Sequence, residues 1–180
     1  IDRQAEQLVV AGLPYPSNAD FSWVEGDISR FLLEKNFALL VPGGAKHRPD
    51  KRWPIESYKK LSVYLEGEGI QPVVIGTYDE VGLGNQIINS LGKGINLAGQ
   101  TSLEELFQLA KGATCSVGND TGPMHLISVQ DCPSLVLYSD VSDPKLCAQK
   151  GLNVTILRCP NLATLKVEDV LKALSHIQST

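Results

Sequence analysis

The chain has 180 residues, with 16 Lys and Arg against 20 Asp and Glu for a formal net charge of −4, and it is 43% hydrophobic and 20% charged. That profile describes one globular domain that buries roughly two-thirds of its unfolded surface, and it excludes a disordered chain, a collagen and a disulfide-dependent miniprotein. The acidic balance excludes a general nucleic-acid surface, which needs a broad excess of Lys and Arg, and no apolar run approaches the roughly 18 residues of a membrane span.

The chain opens at Ile1 without Met or a basic-then-apolar leader, and is expected to be a fragment of a longer protein. Ala5, Leu8 and Val9 recur at helical spacing within Asp2–Leu13, with Gly12 as a stop, and a Pro/Ser/Asn-rich connector follows from Pro14 to Ala19. Short apolar runs then predict strands at Phe37–Val41, Pro72–Ile75, Ile95–Leu97, Thr114–Val117, Ser134–Tyr138 and Val154–Leu157. Helical stripes alternate with them: Ile55, Tyr58, Leu61 and Leu65; Leu103, Leu106, Phe107 and Ala110; Val167, Val170, Leu171 and Leu174. Strand and helix in alternation predict a doubly wound α/β domain with a parallel sheet over residues 37–180, preceded by a helix and connector over residues 1–36. Cys115, Cys132, Cys147 and Cys159 are too widely spaced for C-x-x-C chemistry, and three lie in or beside apolar runs, which suits a reducing cytoplasm.

In such a sheet ligands bind beyond the carboxyl ends of the strands, so the loops after strands carry the chemistry. The first, Pro42 to Pro54, pairs Gly43 and Gly44 with Lys46, Arg48, Lys51 and Arg52. Glycines admit close backbone approach, and a local cluster of cations suits a diphosphate. A solvated basic loop, with Trp53-Pro54 plugging a helix start, explains the same residues. The second, Val117 to His125, ends a strand and opens a helix, with Asn119, Asp120 and Thr121 before Gly122-Pro123. A helix start there would favour an anion, and Asp120 would accept from sugar hydroxyls; plain capping, with His125 in the core, is the alternative. The third, Gly76 to Glu80, offers a carboxylate for ribose hydroxyls or simply an acid at a helix start. Gly82-Leu83-Gly84 lacks the third glycine of a dinucleotide fingerprint and is expected inside a helix. Three His without i,i+4 pairing predict no metal site.

Taken together, "PGGAKHRPDKRWP", "VVIGTYDE", "INLAGQTSLEELFQLAKGA", "SVGNDTGPMHL" and "PSLVLYSDVSDP" resemble, in order and spacing, the C-terminal half of bacterial heptosyltransferases of glycosyltransferase family 9, over approximately Phe37 to Pro144. The resemblance implies a Rossmann-like domain forming the nucleotide-sugar-binding half of a GT-B enzyme, whose N-terminal acceptor domain is absent from this chain. It implies inverting, metal-independent transfer of heptose from ADP-heptose to the lipopolysaccharide inner core, without cofactor. Lys51 corresponds to the diphosphate-binding lysine and, with Asp120, to the catalytic groups present here; Gly44 and Ala45 correspond to a pair near the phosphates. Thr121 and Gly122 match phosphate contacts, Glu80 the acid on the ribose, Thr101 a neighbour of the base, and Asp120 with His125 the sugar contacts. The general base, an aspartate of the acceptor domain, has no counterpart in this chain. Tyr138-Ser139-Asp140-Val141-Ser142 departs from the family's Tyr/Phe-Gly-Pro-Thr and adds a carboxylate, Asp140, near the cleft. The implied partners are the donor and a lipid A–Kdo acceptor, with a cytoplasmic location and peripheral association of the full-length protein with the inner membrane. A nucleotide-sugar 2-epimerase and a non-catalytic nucleotide-sugar-binding protein are the alternatives; Lys-x-Trp-Pro after the Gly-Gly loop speaks against the first.

Overall fold

The computed structural model describes residues 2–15, 21–44 and 48–178. Six strands, β1 (Phe37–Val41), β2 (Gln71–Val74), β3 (Ile95–Asn96), β4 (Cys115–Asn119), β5 (Ser134–Tyr138) and β6 (Val154–Arg158), form one sheet in the order β3-β2-β1-β4-β5-β6. Every pairing is parallel. This is the doubly wound, Rossmann-like arrangement expected from the alternation of apolar runs and helical stripes.

The central strands are buried from end to end because both faces are covered. Side chains alternate along β1: Ala38 and Leu40 enter one core, and Phe37, Leu39 and Val41 the other. The first core is closed by α2 (Ile55–Gly67), α3 (Val81–Ile88) and α7 (Val167–Gln178), through Tyr58, Leu61, Leu65, Ile87, Val170 and Leu174. The second is closed by α4 (Leu103–Gly112) and α5 (Gly122–Ser128), through Leu106, Leu109, Ala110, Met124 and Ile127. The predicted stripes face the cores except at Leu103, which opens the first turn of α4 and is 63% exposed, its place in the buried face taken by Leu109. Gly82 and Gly84 lie within α3 as expected.

The first helix, α1 (Asp2–Val10), ends at Gly12, which takes a left-handed φ of 81°. The predicted connector falls mostly outside the described residues. From Phe21 onward the chain runs along α4. The Phe21 ring lies 5.0 Å from that of Phe107, Gln108 donates to the Val24 carbonyl, and Arg30 bonds both carboxylate oxygens of Glu105. Phe31 is buried in the second core. Glu105 also closes a capping box with Ser102 at the start of α4.

A glycine in the middle of β4 shows how closely the second core is packed. A Cβ at Gly118 would stand 2.5 Å from Met124 Sδ and 2.7 Å from Val41 Cβ. Gly118→Ala should therefore destabilise the domain by about 1–3 kcal/mol, as overpacked cores do. Urea unfolding should show a lower midpoint at unchanged slope.

Candidate functional site

The strand order reverses between β1 and β4, so the loops leaving these neighbours run to opposite sides and open a crevice at their carboxyl ends. A cavity of about 570 Å³ lies there. Its walls are Gly43 and Gly44 after β1, Lys51 and Arg52 ahead of α2, Thr77, Asp79 and Glu80 after β2, and Asp120 to Pro123 after β4.

Asn119, the last residue of β4, holds these walls together. It is fully buried, and its carboxamide makes four hydrogen bonds. Nδ2 donates to the carbonyls of Pro42 (2.8 Å) and Gly43 (3.0 Å). Oδ1 accepts from the Trp53 backbone N–H (3.0 Å) and the Tyr58 hydroxyl (3.2 Å). Trp53, itself buried, donates its indole N–H to the Leu165 carbonyl and packs edge-on against Tyr58. This plug at the start of α2 is the structural role expected for Trp53-Pro54.

Lys51 ends a short 3-10 turn, Pro49–Lys51, and reaches across the crevice to Asp120, with Nζ 2.7 Å from Oδ2. The two side chains are 15% and 8% exposed. Burial raises the Asp120 pKa, but hydrogen bonding, first from Lys51 and also from Gln149, more than offsets it, so the carboxyl titrates below its ordinary range. Asp120 is ionised in the folded protein. An ammonium has three donors, and one is committed to Asp120, which pins the cation while leaving its other hydrogens for the cavity.

Glu80 links two loops. Oε1 accepts from the Gly44 N–H (3.0 Å), and Oε2 from the Thr77 N–H (2.7 Å) and hydroxyl (3.2 Å) in a capping box. Gly43 leaves room for it: a Cβ there would stand 1.8 Å from Oε1. The helix-start reading of Glu80 is thus realised, on the wall of the cavity. Opposite, Arg52 donates Nη2 to the Gly44 carbonyl, while Arg52 Nε and Thr121 Oγ1 are buried without a partner among the described residues. Thr121 precedes α5 without capping it through its side chain.

Gly44, Lys51, Glu80, Asp120, Thr121 and Gly122 therefore meet on one cavity, from three loops. Ala45 lies outside the described residues, as does Lys46. Thr101 and His125 are not on the cavity wall. Thr101 precedes the α4 cap on the β3 side, where Gly99 bonds the Gly76 carbonyl. His125 sits within α5, its Nε2 3.4 Å from Gln149 Nε2. Asp140 does not face the crevice either; it pairs with Arg158 at 3.1 Å. Among the described residues the cations Lys51 and Arg52 share the wall with Asp79, Glu80 and Asp120, so the positive charge expected of the loop meets carboxylates there. Among the described residues no cluster of His, Cys, Asp and Glu could hold a metal ion. Sequence reasoning missed the roles of Asn119, Tyr138 and Gln149; the one visible signal was an amide closing an otherwise apolar run in "CSVGN".

Residues 7–174 match the model of glycosyltransferase family 9 (heptosyltransferase). The chain belongs to this family. It is 36% identical over 104 residues to the lipopolysaccharide heptosyltransferase 2 of Salmonella typhimurium, covering 55% of this chain and 30% of that protein. It is 32% identical over 129 residues to the lipooligosaccharide heptosyltransferase 2 of Haemophilus influenzae, covering 69% and 37%. The solved structure of the Escherichia coli ADP-heptose lps heptosyltransferase II superposes with a TM-score of 0.78 at 25% identity, covering 94% of this chain and 56% of that one. The family 9 chain thus spans about half the length of the relatives it matches, and its sheet is the Rossmann-like half of a GT-B fold.

Two measurements test the site. Asn119→Ala leaves the Trp53 N–H and two carbonyls without partners, each costing about 1–3 kcal/mol, so unfolding should show a loss of about 3 kcal/mol or more. For Asp120, the native pKa lies below the unfolded value of about 3.9. Its contribution to stability is present above that value and is lost as pH falls from there through the native pKa. Acid titration of the folding free energy should be shallower in Asp120→Asn over that window.

Proposed function

We propose that this chain is the donor-binding half of an inverting, metal-independent glycosyltransferase that transfers heptose from ADP-heptose to the lipopolysaccharide inner core. The observation that carries the reading is the Lys51–Asp120 pair at the switch-point crevice. It places a fixed cation and an acceptor carboxylate side by side, as a diphosphate joined to a sugar requires. The ADP-heptose named for the E. coli structural relative supports the choice of donor.

In this reading the diphosphate lies along Gly44, with Lys51 donating its free hydrogens and the Arg52 and Thr121 donors beside it. Ala45, next to Gly44 in the sequence, is assigned to the same phosphates, and Gly122 contributes its backbone. Glu80, already bonded to Gly44 and Thr77, keeps lone-pair capacity for one ribose hydroxyl. Asp120 accepts from sugar hydroxyls, with His125 behind it, and Thr101 borders the base from the edge of the site. An acceptor hydroxyl attacks the anomeric carbon from the face opposite the diphosphate. The bond from that carbon to the diphosphate oxygen breaks, and the departing charge is stabilised by Lys51 and Arg52, a role a divalent cation fills elsewhere. The hydroxyl's proton goes to a carboxylate of the acceptor-side domain, which also carries the lipid A–Kdo-type acceptor. Among the described residues no helix is long and apolar enough to cross a membrane. The reading places the full-length protein in the cytoplasm, with peripheral contact to the inner face of the inner membrane.

Calorimetry tests the clamp. Lys51→Ala should weaken ADP binding by a charge-assisted contact, about 1.5–3 kcal/mol, and leave adenosine binding little changed. Equal losses would place Lys51 in the fold rather than on the phosphates. The assigned reaction is tested by ADP release from ADP-heptose with a lipid A–Kdo acceptor, with and without EDTA. This chain alone should bind donor in both conditions and transfer nothing; acceptor-dependent turnover would refute the placement of the base.

A further inference from the structure

We infer that Gln149 is a positioning residue that fixes the Asp120 carboxylate and selects the Nδ1–H tautomer of the neutral His125 imidazole, so that the carboxylate on the cavity wall and the ring behind it act as one preset unit. Gln149 stands between α6 (Pro144–Cys147) and β6, and is 4% exposed. Its Oε1 lies 2.9 Å from the Tyr138 hydroxyl, and its Nε2 lies 3.3 Å from Asp120 Oδ1 and 3.4 Å from His125 Nε2. The segment has little freedom to move. Tyr138 also bonds the Cys147 carbonyl at 3.0 Å, and a Cβ at Gly151 would stand 2.0 Å from the Ser128 carbonyl oxygen at the end of α5.

Hydrogen-bond polarity orders the four groups. Asp120, ion-paired to Lys51, only accepts, so the Gln149 edge facing it must be the NH₂. That orientation turns Oε1 toward the Tyr138 hydroxyl, whose one hydrogen is shared between this oxygen and the Cys147 carbonyl. The amide nitrogen then has only hydrogens to offer His125, and the imidazole nitrogen it faces must carry the lone pair. The proton of neutral His125 is thereby placed on Nδ1, the less common form for a free imidazole, and an imidazolium would set N–H against N–H. The same amide holds Oδ1 of Asp120 while Lys51 holds Oδ2, so the carboxylate plane is set from both sides. Neither Gln149 nor Tyr138 reaches the cavity wall; both act through Asp120 and His125.

The experiment is ¹⁵N spectroscopy of the histidine rings at about pH 8, above the ordinary histidine range, with His125 assigned through His125→Asn. The native protein should show Nδ1 protonated and Nε2 bare at His125. Gln149→Glu, of the same shape, presents only acceptors to the ring and should move the proton to Nε2. Gln149→Ala should relax it toward the common tautomer. A native ring protonated on Nε2, or a tautomer unchanged in both variants, overturns the proposal whatever the protein binds. Its use in sugar recognition rests on the function proposed above and is read separately, by comparing ADP-heptose with ADP. Gln149→Ala should lose about tenfold of the donor's affinity advantage over ADP while ADP itself shifts less than about threefold, because the amide touches Asp120 and His125 directly and Lys51 only through Asp120. Equal losses for both ligands refute that use. Native protein that binds ADP-heptose no better than ADP refutes the functional reading and leaves the spectroscopic result standing on its own.

Discussion

A single buried amide determines whether the crevice exists at all. The loops after β1 and β4 diverge because the strand order reverses between them, and divergence alone would leave a gap without defined walls. Asn119 closes it from below, spending every donor and acceptor of its side chain on the Gly43 loop and the Trp53–Tyr58 start of α2. Buried polar networks are stabilising only when every member is satisfied, and this one is. Lys51 and Arg52 immediately precede Trp53, so the anchoring that buries the indole also sets where two cations leave the core. The placement of charge in the site is a consequence of core packing.

The fold was legible in the sequence because its strands are buried on both faces. Such strands read as short unbroken apolar runs, and the helices between them show one stripe each, so alternation alone implied a parallel sheet. Strand ends moved by a residue or two, as at β4, where Asn119 completes the pairing with Leu137 and lies in the strand rather than in the loop. The site was legible in part. Gly44, Lys51, Glu80, Asp120 and Thr121 follow strands, and the topology brings loops that follow strands to one edge. Polar groups that arrive from the side were not legible. Gln149 lies beyond α6 in a stretch with no periodicity, and tertiary contacts bring it to Asp120: the close approach of Gly151 to Ser128 and the Tyr138 hydroxyl against Cys147 and Gln149. The balance of charge was also hidden, because a run of basic residues in sequence says nothing about the carboxylates that fold against it.

Glu80 shows that a structural and a functional reading need not compete. Its capping box orders the turn after β2 through Oε2, and Oε1 reaches the backbone of Gly44 through the space that Gly43 leaves open. A carboxylate in this position is preorganised, since its orientation is fixed by the fold before any ligand arrives. The donors that have no partner among the described residues, on Arg52 and Thr121, stand on the other side of Gly44, so the loop is held by an acceptor on one flank and bordered by these donors on the other.

The pairing of Lys51 with Asp120 also decides what the crevice looks like from a distance. An unpaired cation at the end of a cleft projects a field that gathers any small anion, and cells hold inorganic phosphate and free nucleotides in abundance. Neutralised within the wall, the ammonium is felt only at contact range, where the outline of the visitor matters as much as its charge. Such a crevice gives up some capture speed and gains discrimination against small anions that match it in charge but not in outline.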